Sequence, residues 1–273
     1  MRPEVFRFFS DLVAKSSGIQ LKQEKTYLLE SRLNELAKAL GFKGIDDLYH
    51  EASRKLTPRL RDEIVEAMTT NETYFFRDQH PFEALRTVVI PELKELRKAE
   101  KRLKFWSAAA STGQEAYSIA MIIHEYFPEL LSWRIEILAT DISQEAIKKA
   151  QSGAYSQIEV NRGLPVTFLV KYFKQNGSKW VINEKLRRMI TFRKLNLVEP
   201  FPPGFGPFDV VFCRYVLIYF SAEVKQQVLN KIAKVMRPKG YLFLGATETP
   251  HSLPQGFVRK TIGRTICYQW QGQ

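Results

Sequence analysis

Short apolar runs alternate with helical segments from about residue 100 onward, and this alternation constrains the fold more than any other feature. Leu103–Ala108 is followed by a helical segment at about Gln114–Tyr126. Arg134–Ala139, Ile190–Leu195 and Asp209–Cys213 have the length and residue types of further strands. Strand–helix alternation at this spacing predicts an open, mostly parallel sheet with helices on both faces.

The C-terminal part of the chain continues the same pattern. A helical segment at Ala222–Met236 ends before Pro238, because proline cannot continue a helix. The apolar runs Tyr241–Gly245 and Thr265–Trp270 then predict two strands that close the sheet.

Residues 1–70 lack any strand pattern and predict a small helical bundle. The first two helices are indicated by apolar residues at three- and four-residue spacing, around Val5–Val13 and Leu28–Leu40. Gly41 is a helix stop, and Pro58 begins a third helix that runs to Met68.

Residues 154–189 do not fit the strand–helix alternation. Asn176-Gly177 separates the apolar runs at Val166–Val170 and Trp180–Ile182, and Asn-Gly between apolar runs is a strong hairpin signal. The stretch predicts a small antiparallel insertion. It is also basic, with seven Lys and Arg against two Glu.

The chain carries 41 Lys and Arg against 29 Asp and Glu, a formal net charge of +12. Residues 1–70 hold 12 basic and 11 acidic side chains, which leaves 29 basic against 18 acidic in residues 71–273. Such an excess attracts polyanions, but it does not choose among nucleic acid, anionic membrane and acidic protein.

Several classes of protein are excluded by the pattern of apolar residues. No apolar run approaches the roughly 18 residues of a transmembrane helix. The charged start, Met1–Phe6, lacks the apolar core of a secretory signal. Cys213 and Cys267 are too far apart for a CxxC site, and we expect both to be free thiols. These features predict a cytoplasmic protein without membrane insertion.

Ligands of open parallel sheets bind beyond the carboxyl ends of the strands, so the turns there hold the candidate site. The small residues of Ala108–Gly113 allow a ligand to approach the backbone, but the further glycines of a pyrophosphate loop are missing. Asp141 ends the second strand, where a carboxylate either accepts hydrogen bonds from ribose hydroxyls or caps the next helix. Together these turns favour a nucleoside ligand without pyrophosphate, and S-adenosylmethionine is the common cofactor of that kind.

Four ordered motifs resemble those of the chemotaxis receptor glutamate methyltransferases, the CheR family. They are Asn71–Asp78, Phe105–Ser118, Ala139–Ile142 and Phe208–Phe220, and the resemblance extends over nearly the whole chain. It implies a Rossmann-like class I methyltransferase domain with a mostly parallel seven-stranded sheet. It also implies an all-helical N-terminal domain and a small antiparallel β insertion.

The resemblance divides the chain into two domains. Residues 1–70 form the helical domain, which is expected to recognise the receptor. Residues 71–273 form the methyltransferase domain, including a linker at 71–100 and the β insertion at 154–189.

The resemblance also assigns site residues. Those expected to bind S-adenosylmethionine, or its product S-adenosylhomocysteine, are Asn71, Thr73, Arg77, Ala109, Glu115, Asp141, Asn196, Leu197, Arg214 and Tyr215. Glu115 is expected at the methionine end of the cofactor, Asp141 at the ribose, and the Asn196-Leu197 pair at the adenine. Arg77 and Tyr219 are similar to the two side chains nearest the transferred methyl group, and no metal is implied.

Three features depart from the family pattern. Gln114 stands where Glu is usual, and Tyr215 stands where Asn is usual, so a side-chain amide contact to the cofactor is lost. The short hairpin turn Lys174–Lys179 lacks the Gly-x-Gly of relatives that hold a receptor's C-terminal peptide. We therefore expect a form that works without such a tether.

The implied activity is methylation of glutamate side chains on the acidic cytoplasmic helices of chemoreceptors, by a monomer that binds no nucleic acid. The alternatives are a nucleic-acid methyltransferase and a non-catalytic relative that binds cofactor or receptor. Against the first, the fourth strand runs into Arg214-Tyr215 and not an Asn-Pro-Pro-Tyr type loop. The second is raised by Gln114 and Tyr215.

Overall fold

Four helices form the N-terminal part of the computed structural model, which describes residues 1–250 and 253–272. They are α1 (Pro3–Ser17), α2 (Thr26–Ala39), α3 (Ile45–Arg54) and α4 (Pro58–Met68). Helix α3 was not predicted, because its ten residues include four charged side chains that mask the short apolar stripe. Their buried side chains form one apolar core, which includes Phe9, Leu33, Leu48 and Ile64.

A helical segment also occupies most of the predicted linker. It consists of α5 (His80–Ala84), a π-helical turn (Leu85–Val89) and α6 (Ile90–Leu96), which follow one another without a break. Residues 69–74, between α4 and this segment, are extended and contain no regular element.

Among the residues that the structure describes, ten strands follow the N-terminal helices. They are β1 (Arg102–Ser107), β2 (Arg134–Asp141), β3 (Ala154–Ser156), β4 (Phe173–Asn176), β5 (Lys179–Ile182), β6 (Ile190–Lys194), β7 (Phe208–Cys213), β8 (Met236–Leu244), β9 (Phe257–Ile262) and β10 (Thr265–Trp270). The helices among them are α7 (Gln114–Tyr126), α8 (Gln144–Ser152), α9 (Gln157–Asn161), α10 (Val166–Tyr172), α11 (Glu184–Arg187) and α12 (Ala222–Lys234). Within the described residues, no helix has both the length and the apolar content that a membrane crossing requires.

Seven strands form one sheet in the order β6-β2-β1-β7-β8-β10-β9. The first five are parallel, whereas β10 pairs antiparallel with β8 and β9 pairs antiparallel with β10. The mostly parallel, seven-stranded, Rossmann-like sheet is therefore confirmed. Strand β9 was missed, because it is an edge strand whose central residues are exposed and include Arg259 and Lys260.

One predicted boundary is wrong. The helix α12 ends at Lys234, and Met236 begins β8, where it pairs with Phe208 and is buried. Pro238 lies inside that strand and does not follow the helix directly.

The insertion forms a second sheet of three antiparallel strands in the order β3-β5-β4, as predicted. Asn176 pairs with Lys179, so Gly177-Ser178 is the two-residue turn, and Gly177 adopts the left-handed φ of 59°. The apolar run at Val166–Val170 belongs to helix α10.

Alternating side chains of the central strands supply two apolar layers, one on each face of the large sheet. Phe105, Phe212 and Phe243 point to the face covered by α7, and the rings of the latter two stack at 4.6 Å. Trp106 and Val211 point to the opposite face, covered by α12. Both cysteines are buried and unpaired, which confirms the free thiols.

A buried ion pair joins the linker helices to the sheet. The Nε of Arg97 donates to Asp209 at 2.9 Å, and its Nη2 donates to the Pro238 carbonyl at 2.7 Å. The other oxygen of Asp209 accepts from the backbone N–H of Lys104 at 2.9 Å. Asp209 is fully buried, so both of its oxygens are satisfied without water.

Replacing Asp209 leaves a buried arginine without its partner. We expect Asp209→Ala to lower the free energy of unfolding by about 3 kcal/mol, measured by urea denaturation. The matched control is Asp46→Ala, which removes an exposed partner of Arg2 and should change stability little. Equal losses in the two variants would contradict a structural role for the buried pair.

Candidate active site

A cleft opens beyond the carboxyl ends of β1, β2 and β7, as expected for an open parallel sheet. Its empty volume, including solvent at the mouth, is about 920 Å³. All eleven candidate residues line it: Asn71, Thr73, Arg77, Ala109, Glu115, Asp141, Asn196, Leu197, Arg214, Tyr215 and Tyr219. Residues spread over 149 positions of sequence (71 to 219) thus meet in one cavity.

The carboxylate of Asp141 is held at the end of β2 by two backbone donors. Its Oδ2 accepts from the N–H of Ser111 at 2.7 Å, and its Oδ1 accepts from the N–H of Ser143 at 2.9 Å. Burial raises the pKa of Asp141. The cap of α8 is Ser143, whose Oγ accepts from the N–H of Ala146, so Asp141 is not that cap.

The turn from β1 to α7 depends on two residues with left-handed backbone. Ser111 has a φ of 49°, and its Oγ donates to the Asn71 carbonyl at 2.9 Å. Gly113 has a φ of 96°, and a Cβ there would lie 2.8 Å from the Cβ of Ala150. Glycine is required at Gly113 both for the backbone angle and for this close approach of α8.

A buried ion network forms one wall of the cleft. Arg214, which is 4% exposed, donates to Glu115 at 2.8 Å and to Asp78 at 2.7 Å. Glu115 also accepts from the Ser107 hydroxyl at 2.7 Å. Asp78 was not predicted as a site residue, although it belongs to the Asn71–Asp78 motif.

The side chains of Arg77 and Tyr215 stack at the cleft. The Arg77 guanidinium carbon lies 3.7 Å from the centre of the Tyr215 ring, and its Nη1 donates to the Glu72 carbonyl at 2.7 Å. The Tyr215 hydroxyl donates to Asp78. Burial raises the pKa of Tyr215, and the hydrogen bond to Asp78 raises it further.

Glu248 is a second residue that the sequence analysis missed. It is buried, and it accepts from the backbone N–H groups of Gly245, Tyr215 and Ile218 at 2.8, 2.6 and 3.1 Å. Burial raises the pKa of Glu248. It fixes the segment after β7 that carries Tyr215 and the short helical turn Leu217–Tyr219. A lone glutamate just beyond a buried strand was the sequence signal.

The N-terminal helices contact the same region. The Asn196 side chain donates to the Ser16 carbonyl at 2.7 Å, and the Gln20 N–H donates to the Tyr219 carbonyl at 2.8 Å. Glu66 of α4 accepts from the first turn of α8, including the Gln144 N–H at 2.8 Å. These contacts place the helical bundle against the segments that follow β2, β6 and β7 at the cleft.

The remaining candidates line the cleft with little polar contact. Asn71 is exposed and Thr73 half-buried, both in the extended segment after α4. Ala109 is half-buried in the turn after β1, and Leu197 is buried in the apolar layer beside α12.

Family models match almost the whole chain. The CheR methyltransferase all-alpha domain matches residues 4–69, and the CheR methyltransferase SAM binding domain matches residues 71–263.

The chain belongs to the CheR methyltransferase family.

Two curated relatives span the same length. The chain is 43% identical over 272 residues to chemotaxis protein methyltransferase 1 of Pseudomonas aeruginosa, covering 97% of this chain and 96% of the relative. It is 40% identical over 270 residues to chemotaxis protein methyltransferase Cher2 of Pseudomonas putida, with the same two coverages.

The CheR family match makes S-adenosylmethionine the cofactor, and the cleft fits it. The carboxylate of Asp141, whose two oxygens are fixed, suits a ribose. The small residues before Gly113 leave room for the cofactor, and the turn lacks the further glycines of a pyrophosphate-binding loop. Across residues 1–250 and 253–272, no group of His, Cys, Asp or Glu is arranged to hold a metal ion.

If Asp141 accepts hydrogen bonds from the ribose, cofactor affinity depends on pH. Asp141→Asn should weaken S-adenosylmethionine binding by about tenfold or more, since hydrogen bonds to a charged group contribute about 1.5–3 kcal/mol. The raised pKa means that the native carboxylate takes up a proton above the ~3.9 of an ordinary aspartate. Affinity of the native chain should therefore fall as pH drops from 7 toward that range, while the variant's affinity stays flat.

Isothermal titration calorimetry across pH measures both effects. The control is Asp11→Asn, which removes an exposed carboxylate of α1 and should bind like the native chain. An Asp141→Asn variant that binds cofactor at native strength would contradict this role.

Proposed function

We propose that this CheR family protein methylates glutamate side chains on the cytoplasmic helices of chemoreceptors, forming glutamate methyl esters for sensory adaptation. Both curated relatives are named chemotaxis protein methyltransferases. The observation that carries the specificity for a carboxylate is the Arg77 guanidinium. It lines the cleft, and within the described residues it makes one hydrogen bond, to the Glu72 carbonyl. Its other N–H donors remain for a substrate carboxylate.

The chemistry requires alignment and exclusion of water from the nucleophile. A glutamate carboxylate, with a pKa of about 4.3, is already ionised at pH 7, so no general base is needed. S-adenosylmethionine supplies an electrophilic methyl group on its sulfonium when bound. The planar guanidinium of Arg77 orients the carboxylate by hydrogen bonds and keeps its own protons. The half-buried side chain of Tyr219 forms one wall around the reacting atoms and helps to exclude water.

The other cleft residues hold the cofactor in this proposal. Asp141 accepts from the ribose hydroxyls, and Asn196 with Leu197 contacts the adenine. Glu115, oriented by Ser107 and Arg214, faces the methionine end. Asn71, Thr73, Ala109 and Arg214 complete the wall, to which Tyr215 contributes its backbone.

The substrate surface is proposed from charge. Residues 71–273 carry 29 basic against 18 acidic side chains, and the insertion presents exposed lysines such as Lys174 and Lys179. This favours an acidic receptor helix bundle as the partner, recognised also by residues 1–70. We propose that the enzyme acts as a cytoplasmic monomer and without a receptor tether peptide, because the turn at Gly177 is short. No observation favours a nucleic-acid substrate.

The deciding experiment supplies methyl-labelled S-adenosylmethionine and receptor cytoplasmic fragments. We expect label on receptor glutamates that mild alkali releases, since esters hydrolyse and N-methyl groups do not. Arg77→Ala should lose about tenfold or more in turnover, in line with loss of a bidentate charged contact. Receptor label that mild alkali does not release, or full turnover by Arg77→Ala, would overturn the proposal.

The net charge predicts how added salt acts. Transfer to receptor should fall as salt rises from low to about 0.5 M, because screening shortens the range of attraction between the basic surface and an acidic partner. Cofactor affinity, measured by calorimetry under the same conditions, should change much less. Transfer rates independent of salt would show that the charge excess does not steer the receptor.

A further inference from the structure

Tyr215 occupies a conformation that few bulky side chains adopt. Its φ is 58°, in the left-handed region that disfavours large side chains. The backbone is held there by Glu248, which accepts from the Tyr215 N–H at 2.6 Å. The same carboxylate also binds the N–H groups of Gly245 and Ile218. A buried carboxylate thus fixes the direction in which the Tyr215 ring leaves the chain.

The ring is fixed at its other end as well. The Tyr215 hydroxyl donates to Oδ2 of Asp78, and the same oxygen accepts from Nη2 of Arg214 at 2.7 Å. Arg214 is almost fully buried, and it is itself anchored by Glu115. The plane of the ring is therefore tied to the ion network of the cleft wall.

Arg77 lies on that ring. The guanidinium carbon is 3.7 Å from the Tyr215 centroid, which is stacking distance, and 5.5 Å from the Tyr74 centroid. One hydrogen bond, to the Glu72 carbonyl, holds the guanidinium within the described residues. An arginine side chain has several rotatable bonds, so a single hydrogen bond does not define its plane. The stack on the Tyr215 ring defines the plane of the Arg77 guanidinium.

We infer that Tyr215 is a positioning residue, whose ring holds the Arg77 guanidinium in the plane in which it receives a substrate carboxylate. The inference rests on the proposed role of Arg77. It explains a tyrosine at a position where the family resemblance leads one to expect asparagine: this chain uses an aromatic platform and not an amide. The consequence is a separation of effects. Removing the ring should impair the methyl-transfer step, while Asp141 and Glu115 still hold the cofactor.

Substitutions that keep or remove the ring test this separation. Tyr215→Asn should lower kcat on receptor fragments by about tenfold, with the KM for S-adenosylmethionine within about twofold of native. Tyr215→Phe keeps the aromatic face and loses only the hydroxyl, so its kcat should lie within about threefold of the native value. Tyr126→Asn is the matched control, because it removes another Arg–Tyr stack, that of Arg86 at 4.8 Å, outside the cleft. It should retain native kcat.

A double-mutant cycle distinguishes positioning of Arg77 from general damage to the cleft. In an Arg77→Lys background the planar fork is absent, and Tyr215→Asn should cost about twofold or less. An equal loss in both backgrounds, a loss confined to KM for S-adenosylmethionine, or failure of Tyr215→Phe to recover kcat would overturn the inference. Thermal unfolding of each variant separates these outcomes from misfolding.

A readout without turnover distinguishes failure of the Arg77–Tyr215 stack from failure of the proposed function. In the native chain labelled with ¹⁵N-arginine, ring current should shift the Arg77 Nε–H resonance upfield, and Tyr215→Phe should preserve the shift. Tyr215→Asn should abolish it. An unshifted native resonance would refute the stack itself, whereas absent methyl transfer by the native chain would refute the proposed function alone.

Discussion

The cleft depends on one buried cation, Arg214. It lies at the end of β7, yet its two terminal nitrogens reach Glu115 at the start of α7, and Asp78 and the Arg77 carbonyl in the segment after α4. A buried arginine without these partners would carry a large desolvation cost, so the three segments are held together by its charge. Because Arg214 also binds the Arg77 carbonyl, the network fixes the backbone position from which the Arg77 side chain extends.

The helical bundle is part of the site and not an appendage beside it. Glu66 binds the first turn of α8, two residues beyond Asp141, and Asn196 reaches the carbonyl at Ser16. At the end of α1, a Cβ on Gly18 would lie 2.7 Å from Val198, so the helix terminus is packed directly on the loop after β6. Any movement of the bundle therefore changes the walls of the cleft.

The sequence predicted those parts of the site whose structure depends on residues close to one another in the chain. The bounds of α7 and the position of Asp141 followed from the apolar periodicity and from the ends of strands, because neighbours in sequence decide burial there. The same patterns did not predict the roles of Asp78 and Glu248. Asp78 meets Arg214 across 136 residues, and Glu248 meets Tyr215 across 33, so each partnership exists only once the sheet has formed. Family motifs located Tyr215, but its stack on Arg77 needed coordinates.

Charge is divided between the inside of the cleft and the outer surface. Inside the cleft, the buried charge of Arg214 is neutralised by Glu115 and Asp78, and the carboxylate of Asp141 is held by backbone N–H groups. The surplus of positive charge lies outside, on the insertion and the rest of residues 71–273. In the proposed function, the cationic cofactor enters the cleft, whereas an acidic protein is attracted to this outer surface. In the proposed function Arg77 stands where the two meet, and the uncharged Tyr215 ring sets the plane of its guanidinium without neutralising its charge.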